Sequence, residues 1–174
     1  MKKKKMIIAV ATAVALVAGA ALYFVVFQKN NIDREANARH IIELACTYTY
    51  PCDNPYFDPE AVAYIGLGVE TTPEEKAKME EAVERQRQAW KDAVGSYFAP
   101  NSFDVFMSSS PIFRFLGDAY FQEQSISVKD ITRTAVDDKF QTFTVTLLVN
   151  GAEKEQVFHF RNDENDLFTF IELR

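Results

Sequence analysis

The pattern of hydrophobic and polar residues changes twice along the chain, and each of its three parts predicts a different kind of structure. An apolar run without charges extends from Met6 to Phe27. Between Asp33 and Phe121 apolar residues recur at helical spacing, and from Ser125 onward they alternate with polar ones. Spacings of three to four residues are typical of amphipathic helices, and a period of two is typical of half-buried strands. We therefore predict an α+β protein with a hydrophobic N-terminal helix, helices over 33–121 and an antiparallel meander over 124–173.

The apolar run follows four lysines, Lys2–Lys5. As a helix it is roughly 33 Å long at ~1.5 Å per residue, enough to cross a hydrocarbon core of ~30 Å. The lysines favour the cytoplasmic side of the membrane. We predict a single-pass protein of the cell membrane with a cytoplasmic basic tail at 1–5, a transmembrane helix at 6–27, a linker at 28–32 and an extracytoplasmic domain at 33–174.

A cleavable signal peptide is the alternative to this anchor. Ala18-Gly19-Ala20 has the small residues of a cleavage site. However, the apolar run continues beyond that site through Leu22–Phe27, whereas the hydrophobic part of a signal peptide ends where it is cut. The sequence therefore favours an uncleaved anchor.

The clearest helix signal is Thr72-Pro73-Glu74-Glu75. A threonine N-cap, a proline at the first helical position and a glutamate at the third form a capping box. We predict that this helix continues to about Phe98. An earlier helix is predicted over roughly Asp33–Tyr48, one helical turn over Pro59–Tyr64, and short aromatic helices between Ser102 and Phe121.

The turns predict the register of the C-terminal sheet. Asn150-Gly151 is a favoured two-residue hairpin turn, and it places Phe143 opposite Phe158. The loop over 162–166 then places Phe158 opposite Phe170. A strand over about 125–135 places Asp130 opposite Val145, on the core face. That face is predicted to carry Phe143, Val145, Leu147, Val149, Phe158, Phe160, Phe168 and Phe170.

The charge distribution excludes one class of partner. Four of the 19 basic residues precede the apolar run and all 25 acidic residues follow it, so the part beyond the run has a net charge of −10. Nucleic acids and anionic lipid surfaces bind clustered positive charge. We therefore expect no nucleic-acid partner. The expected partners are the membrane itself, through residues 6–27, and either a membrane-associated protein or a small apolar ligand.

The two cysteines, Cys46 and Cys52, lie six residues apart. Outside the cytoplasm a pair at this spacing can form a disulfide, which we predict. A metal site would need further ligands, and the chain has only two histidines, His40 and His159. We predict neither a metal site nor a cofactor, because no glycine-rich nucleotide-binding motif is present.

Asp130 is the one residue for which the sequence supports a catalytic hypothesis. A carboxylate on an aromatic-lined sheet face would have its pKa raised by desolvation, as acid–base residues often do. The alternatives are a β-bulge at Lys129-Asp130 that turns the side chain outward, or a paired structural role.

The order of elements resembles the NTF2-like (cystatin-like) α+β cone over Asp33–Arg174. The resemblance depends on the end of the long helix at Trp90–Phe98 and on three strands, Phe140–Asn150, Glu155–Arg161 and Leu167–Leu173. It implies a pocket between the helices and the concave face of a bent sheet. Candidate pocket residues are Asp130, Tyr97, Phe103, Phe143 and Phe158.

The NTF2-like family includes enzymes, small-ligand binders and non-catalytic interaction domains, some of them anchored in bacterial envelopes. We therefore expect a non-catalytic binding or interaction domain of the cell envelope. The alternative that the resemblance implies is a pocket enzyme that acts on a small hydrophobic substrate, with Asp130 as general base. His159 is predicted on the opposite sheet face.

Overall fold

The described part of the chain is an α+β fold of helices followed by a sheet. The computed structural model describes residues 33–62 and 71–174. Within them lie four α-helices: α1 (Arg34–Ala45), α2 (Pro73–Val94), α3 (Ser102–Ser109) and α4 (Arg114–Phe121). Four β-strands follow: β1 (Ile126–Val136), β2 (Phe140–Val149), β3 (Ala152–Asn162) and β4 (Phe168–Leu173). Short 3-10 turns occupy Pro59–Ala61, Gly95–Tyr97 and Pro111–Phe113.

The predicted tail, transmembrane helix and linker, residues 1–32, lie outside the described residues. The end of the helical turn predicted over Pro59–Tyr64 lies outside them too. In the part that the structure describes, no helix combines the length and the apolar character that crossing a bilayer requires.

The long helix α2 begins as its capping box predicts. The Thr72 hydroxyl accepts a hydrogen bond from the Glu75 backbone N–H at 3.2 Å, and the Glu75 carboxylate accepts one from the Thr72 N–H at 2.8 Å. Two backbone donors that a helix start leaves unpaired are thus satisfied. The α-helix ends at Val94, and a 3-10 turn carries the chain on to Tyr97.

The sheet is an antiparallel meander in the order β1-β2-β3-β4. Asn150 and Gly151 both have positive φ, as a two-residue hairpin turn requires, and Phe143 lies opposite Phe158. The predicted register of this central hairpin is therefore confirmed. Helices cover one sheet face, which carries Phe143, Val145, Leu147, Phe158, Phe160, Phe168 and Ile171, all buried.

Two bulges correct the predicted register of the outer strands. In β1 a shift between Val128 and Asp130 places Asp130 opposite Thr146, not opposite Val145. At the β3–β4 pair a shift between Arg161 and Asn162 places Phe170 opposite Arg161. The predicted pairing of Phe170 with Phe158 is therefore wrong, and Phe170 is an exposed residue. Each bulge inserts one residue, which reverses the faces of the residues that follow it; in β1 a second shift, between Arg133 and Ala135, ends this reversal.

The predicted disulfide is absent from this structure. Cys46 and Cys52 are both free thiols, and they lie in different surroundings. Cys46 follows α1 on its apolar stripe and is 0 % exposed, and burial raises the pKa of its thiol well above the ordinary range. Cys52 is exposed in the loop that follows α1.

Candidate functional site

The predicted pocket residues do not surround a common space inside the fold. Phe143 and Phe158 are 0 % exposed, because other rings pack against them. Phe143 meets Phe160 edge to face at 5.8 Å, and the Phe158 ring lies 5.7 Å from that of Phe115. These two residues fill the space between helices and sheet and thereby act as core residues.

The other three candidates lie in three separate places. Tyr97 is half-buried and its hydroxyl lies 2.9 Å from Nδ1 of His40. Phe103 packs against Phe98 at 5.8 Å on the helical side. Asp130 is exposed and its carboxylate accepts a hydrogen bond from the Thr132 hydroxyl at 2.7 Å. The bulge at Lys129-Asp130, one of the alternatives to a core position, thus removes Asp130 from the core face.

One small cavity remains between α4 and the sheet; we call it the sheet cleft. Its volume is about 210 Å³. Arg114 is one of its lining residues: its guanidinium lies 5.3 Å from the centre of the Phe115 ring and donates a hydrogen bond to the Gln156 side-chain oxygen at 3.0 Å. The cleft is lined by Arg114, Phe115, Asp118, Ala119, Gln122, Gln124, Ile126, Leu147, Val149, Lys154, Glu155 and Gln156.

A larger depression, of about 590 Å³, lies where the loop after α1 meets α2 and α4. We call it the tyrosine groove, because three tyrosines line it. It is lined by Tyr48, Tyr50, Pro51, Cys52, Asp53, Asn54, Pro55, Phe57, Asp58, Pro59, Glu60, Arg85, Gln86, Ala89 and Tyr120. With this size it falls within the usual range of about 300–1,000 Å³ for ligand sites, whereas the sheet cleft does not.

Backbone pairing holds the first wall of the groove in place. Tyr48 and Ile126 exchange two backbone hydrogen bonds of 2.8 Å, which ties the loop to the start of β1. The Tyr50 N–H donates to the Ser125 hydroxyl at 3.2 Å. Tyr48 and Tyr50 therefore occupy defined positions although they belong to a loop.

The second wall is tied to α2 by side chains. The Trp90 indole N–H donates to the Tyr56 carbonyl at 2.9 Å, and the Gln86 side-chain oxygen accepts from the Asp58 N–H at 2.9 Å. Arg85 and Asp58 form an ion pair of 2.8 Å. These contacts attach a proline-rich loop to two successive turns of a long helix, which makes the groove a preformed surface.

Aromatic side chains continue from the groove onto the open surface. The ring of Tyr120 lies 5.5 Å from Phe57 and 6.5 Å from Tyr48. Next to it, Phe121 meets Phe57 edge to face at 6.2 Å although 64 % of Phe121 is exposed. An exposed phenylalanine beside an aromatic groove is a typical feature of interaction surfaces.

The surroundings of the groove raise the pKa of two of its tyrosines. Burial raises the pKa of Tyr48, and nearby Tyr120, Tyr50, Cys52 and Asp53 raise it further. Desolvation and the Glu123 carboxylate likewise raise the pKa of Tyr50. Both phenols are therefore neutral at physiological pH, and their hydroxyl groups can donate hydrogen bonds. Among the described residues no group of three histidine, cysteine, aspartate or glutamate side chains is arranged to hold a metal ion.

Sequence patterns do not predict this groove, because its residues come from three segments that are distant in the chain. The one local signal is the alternation of Tyr48 and Tyr50 directly before a run with Pro51, Pro55 and Pro59. Comparison of the chain with protein families, with curated proteins and with solved structures finds no match to any of them. The geometry of the described residues is thus the basis for a functional proposal.

Proposed function

We propose that the chain is a membrane-anchored, extracytoplasmic interaction domain of NTF2-like fold, which binds a segment of a protein partner through the tyrosine groove. The observation that carries the proposal is the contrast between a filled interior and an open aromatic groove. Phe143 and Phe158 occupy the space that a pocket would need, whereas Tyr50 and Tyr120 line a depression of about 590 Å³.

The lysine-flanked apolar run supports the cellular address in this proposal. Residues 6–27 have the length and composition of a transmembrane helix that follows a cytoplasmic basic tail. The first described helix begins at Arg34, so only a short linker separates the domain from the proposed bilayer. A partner would then be another protein that works at the same membrane surface.

Asp130 does not lie in the aromatic interior that the alternative of a pocket enzyme requires; it lines a surface depression of about 470 Å³ beside Arg39, Glu43 and Lys129. A general base must reach a substrate held in a site, and desolvation often tunes its pKa. Asp130 is exposed and already accepts a hydrogen bond from Thr132. The described residues therefore support a binding role better than a catalytic role for Asp130.

Site-specific photo-crosslinking in intact membranes tests the proposal. The full chain would carry p-benzoylphenylalanine in place of Phe121, at the edge of the groove. The matched control would carry it in place of Val136, which is also an exposed apolar residue but lies at the end of β1. We expect a discrete protein adduct from the Phe121 position and none from the Val136 position.

Two results would contradict the proposal. One is equal adducts from both positions, which would indicate non-specific collision at the membrane. The other is the absence of any adduct at Phe121 in cells that express the protein at its natural level. A further control, with the crosslinker at Val83, examines an exposed apolar position on α2.

A further inference from the structure

We infer that the partner segment in the tyrosine groove is basic, with an arginine or lysine side chain held against the tyrosine rings. This inference rests on the proposed function and adds the chemistry of the partner. It follows from the charges around the groove, from the ring surfaces inside it and from the groups that are still free to form ion pairs.

The charges around the groove are mainly negative. Asp53, Asp58 and Glu60 line it, and Arg85 is the one basic residue among its lining residues. Glu123 lies at the rim, close enough to Tyr50 to raise its pKa. The part of the chain beyond the apolar run has a net charge of −10, so the field around the groove also favours cations.

Arg85 does not neutralise these carboxylates completely. It pairs with Asp58 at 2.8 Å and with Glu60 at 3.4 Å, and a third carboxylate, that of Glu81, lies 3.9 Å from it. Asp53 forms no ion pair within residues 33–62 and 71–174. The end of the groove at Tyr50 therefore retains negative charge that a bound cation could balance.

The ring surfaces at this end suit a cation. Tyr50 and Tyr120 are half-buried, so part of each ring remains accessible, while Tyr48 closes the floor. A guanidinium or ammonium group over the face of a tyrosine ring is attracted by the negative charge of that face, and the attraction is stronger where water is excluded. A polyanion would meet Asp53 and Glu123 at the same place, and like charges at an interface disfavour binding.

A labelled peptide provides a defined probe. The probe is a short fluorescein-labelled peptide of alternating arginine and proline, and its neutral counterpart has citrulline in place of each arginine. Fluorescence anisotropy would be measured with the full chain in a neutral maltoside detergent, so that lipid charge does not contribute. We expect the arginine peptide to bind about tenfold more tightly than the citrulline peptide, or better, and we expect added salt to weaken its binding.

Two double variants with the same net charge show whether carboxylates at the groove or elsewhere attract the arginine peptide. Asp53→Asn with Glu123→Gln removes carboxylates at the groove, whereas Asp130→Asn with Glu155→Gln removes two exposed carboxylates elsewhere. The groove pair should lower the affinity about tenfold, equivalent to about 1.4 kcal/mol, and the distant pair should leave it nearly unchanged.

Several outcomes would overturn the inference. Equal losses in the two double variants would mean that overall charge, not the groove, attracts the peptide. Equal binding of the arginine and citrulline peptides would mean that the groove does not select a cation. If neither peptide binds while the crosslinker at Phe121 still yields its adduct, the basic partner is wrong and the interaction domain stands. If that adduct is missing as well, the proposed function fails too.

Discussion

The interior beneath the sheet and the tyrosine groove are both aromatic, yet their side chains are used differently. In the interior Phe143, Phe158 and Phe160 are not exposed: the ring of Phe143 packs against that of Phe160, and the ring of Phe158 packs against that of Phe115. In the groove the rings of Tyr50 and Tyr120 stand around an open space of about 590 Å³. Aromatic content alone therefore does not indicate a pocket. What matters is whether backbone anchors hold the rings apart or allow them to close on each other.

The anchors explain why the groove stays open. The loop after α1 is fixed at one end by the Tyr48–Ile126 bridge and at the other by the Trp90 indole and the Tyr56 carbonyl. Its prolines restrict backbone rotation and supply no N–H groups for a helix. In the interior, by contrast, helices can approach the sheet until side chains touch.

The two thiols should differ by the largest factor, and the difference should appear in their rates of maleimide labelling. Cys46 belongs to the buried interior and Cys52 to the groove. With maleimide and the native full chain, Cys52 at the groove should react rapidly, and Cys46 should react only when the domain opens. Because native domains are stable by about 5–15 kcal/mol, the rates should differ by about 10³-fold or more. Mass spectrometry after timed labelling measures this. A Cys52→Ser variant should show no rapidly labelled thiol, and two equal rates would contradict the core position of Cys46.

The loss of unfolding free energy caused by an alanine substitution should be several kcal/mol larger in the core than at the surface. Phe158→Ala should lower the free energy of unfolding by about 3–5 kcal/mol, because it leaves a cavity in the packed interior. Phe121→Ala should change that free energy by less than about 0.5 kcal/mol, since Phe121 is mostly exposed. Urea unfolding of both variants provides the measurement. Near-equal losses would mean that the groove edge is part of the core.

Gln141 tests how much an unpaired polar group in the interior lowers the stability of the fold. Its amide is buried on the core face, and neither its nitrogen nor its oxygen has a hydrogen-bond partner among the described residues. An unsatisfied buried group costs about 1–3 kcal/mol, so Gln141→Met should raise the urea midpoint. The control is Gln156→Met, which removes a hydrogen bond of 2.9 Å to the Arg174 carbonyl and should lower the midpoint. A less stable Gln141→Met variant would show that the amide makes a contact of its own.

His159 should produce the smallest effect, a change of stability with pH. It is buried on the outer sheet face against Phe140, and burial lowers its pKa, with Arg174 and Arg161 adding to the shift while Glu172 and Asp137 oppose it. Below the ordinary histidine pKa of about 6.5 the unfolded chain binds the proton more readily. Stability is therefore complete above that pH and falls as the pH decreases towards the lower pKa of the folded state.

Urea unfolding on both sides of that pH provides the test for His159. The variant His159→Gln should lose this part of the pH dependence. The control His40→Gln alters a half-buried imidazole that contacts the Tyr97 hydroxyl, and the dependence should remain in it. If His159→Gln retains the full dependence, other groups cause it.

Local sequence signals predict the helices and strands. The bulges and the groove depend on packing between distant segments. The capping box at Thr72 and the turn at Asn150-Gly151 specify their own geometry, so α2 and the central hairpin follow from sequence. The bulges near Lys129 and Arg161 do not, because a single inserted residue leaves the alternation of apolar residues almost unchanged. That one residue determines whether Asp130 faces the core or the solvent.

The groove escapes prediction for a different reason. Tyr48, Arg85 and Tyr120 lie on a loop and on two helices, and no periodicity connects these segments. Their meeting depends on how α2 and α4 pack against the loop. Cys46 shows the same limit, since its spacing from Cys52 suggests a bridge while its place on the α1 stripe puts it in the core.

Blocking either the tyrosine groove or the sheet cleft with a bulky group shows which of the two surfaces holds the partner. In intact membranes, a maleimide with a bulky polymer would be attached either to the native Cys52 at the groove or to Lys154→Cys at the sheet cleft, the latter in a Cys52→Ser background. The yield of the partner adduct from the crosslinker at Phe121 is then measured. We predict that modification of Cys52 abolishes the adduct and that modification at position 154 leaves it intact. Loss of the adduct only on blocking the sheet cleft would contradict the assignment of the tyrosine groove as the binding surface.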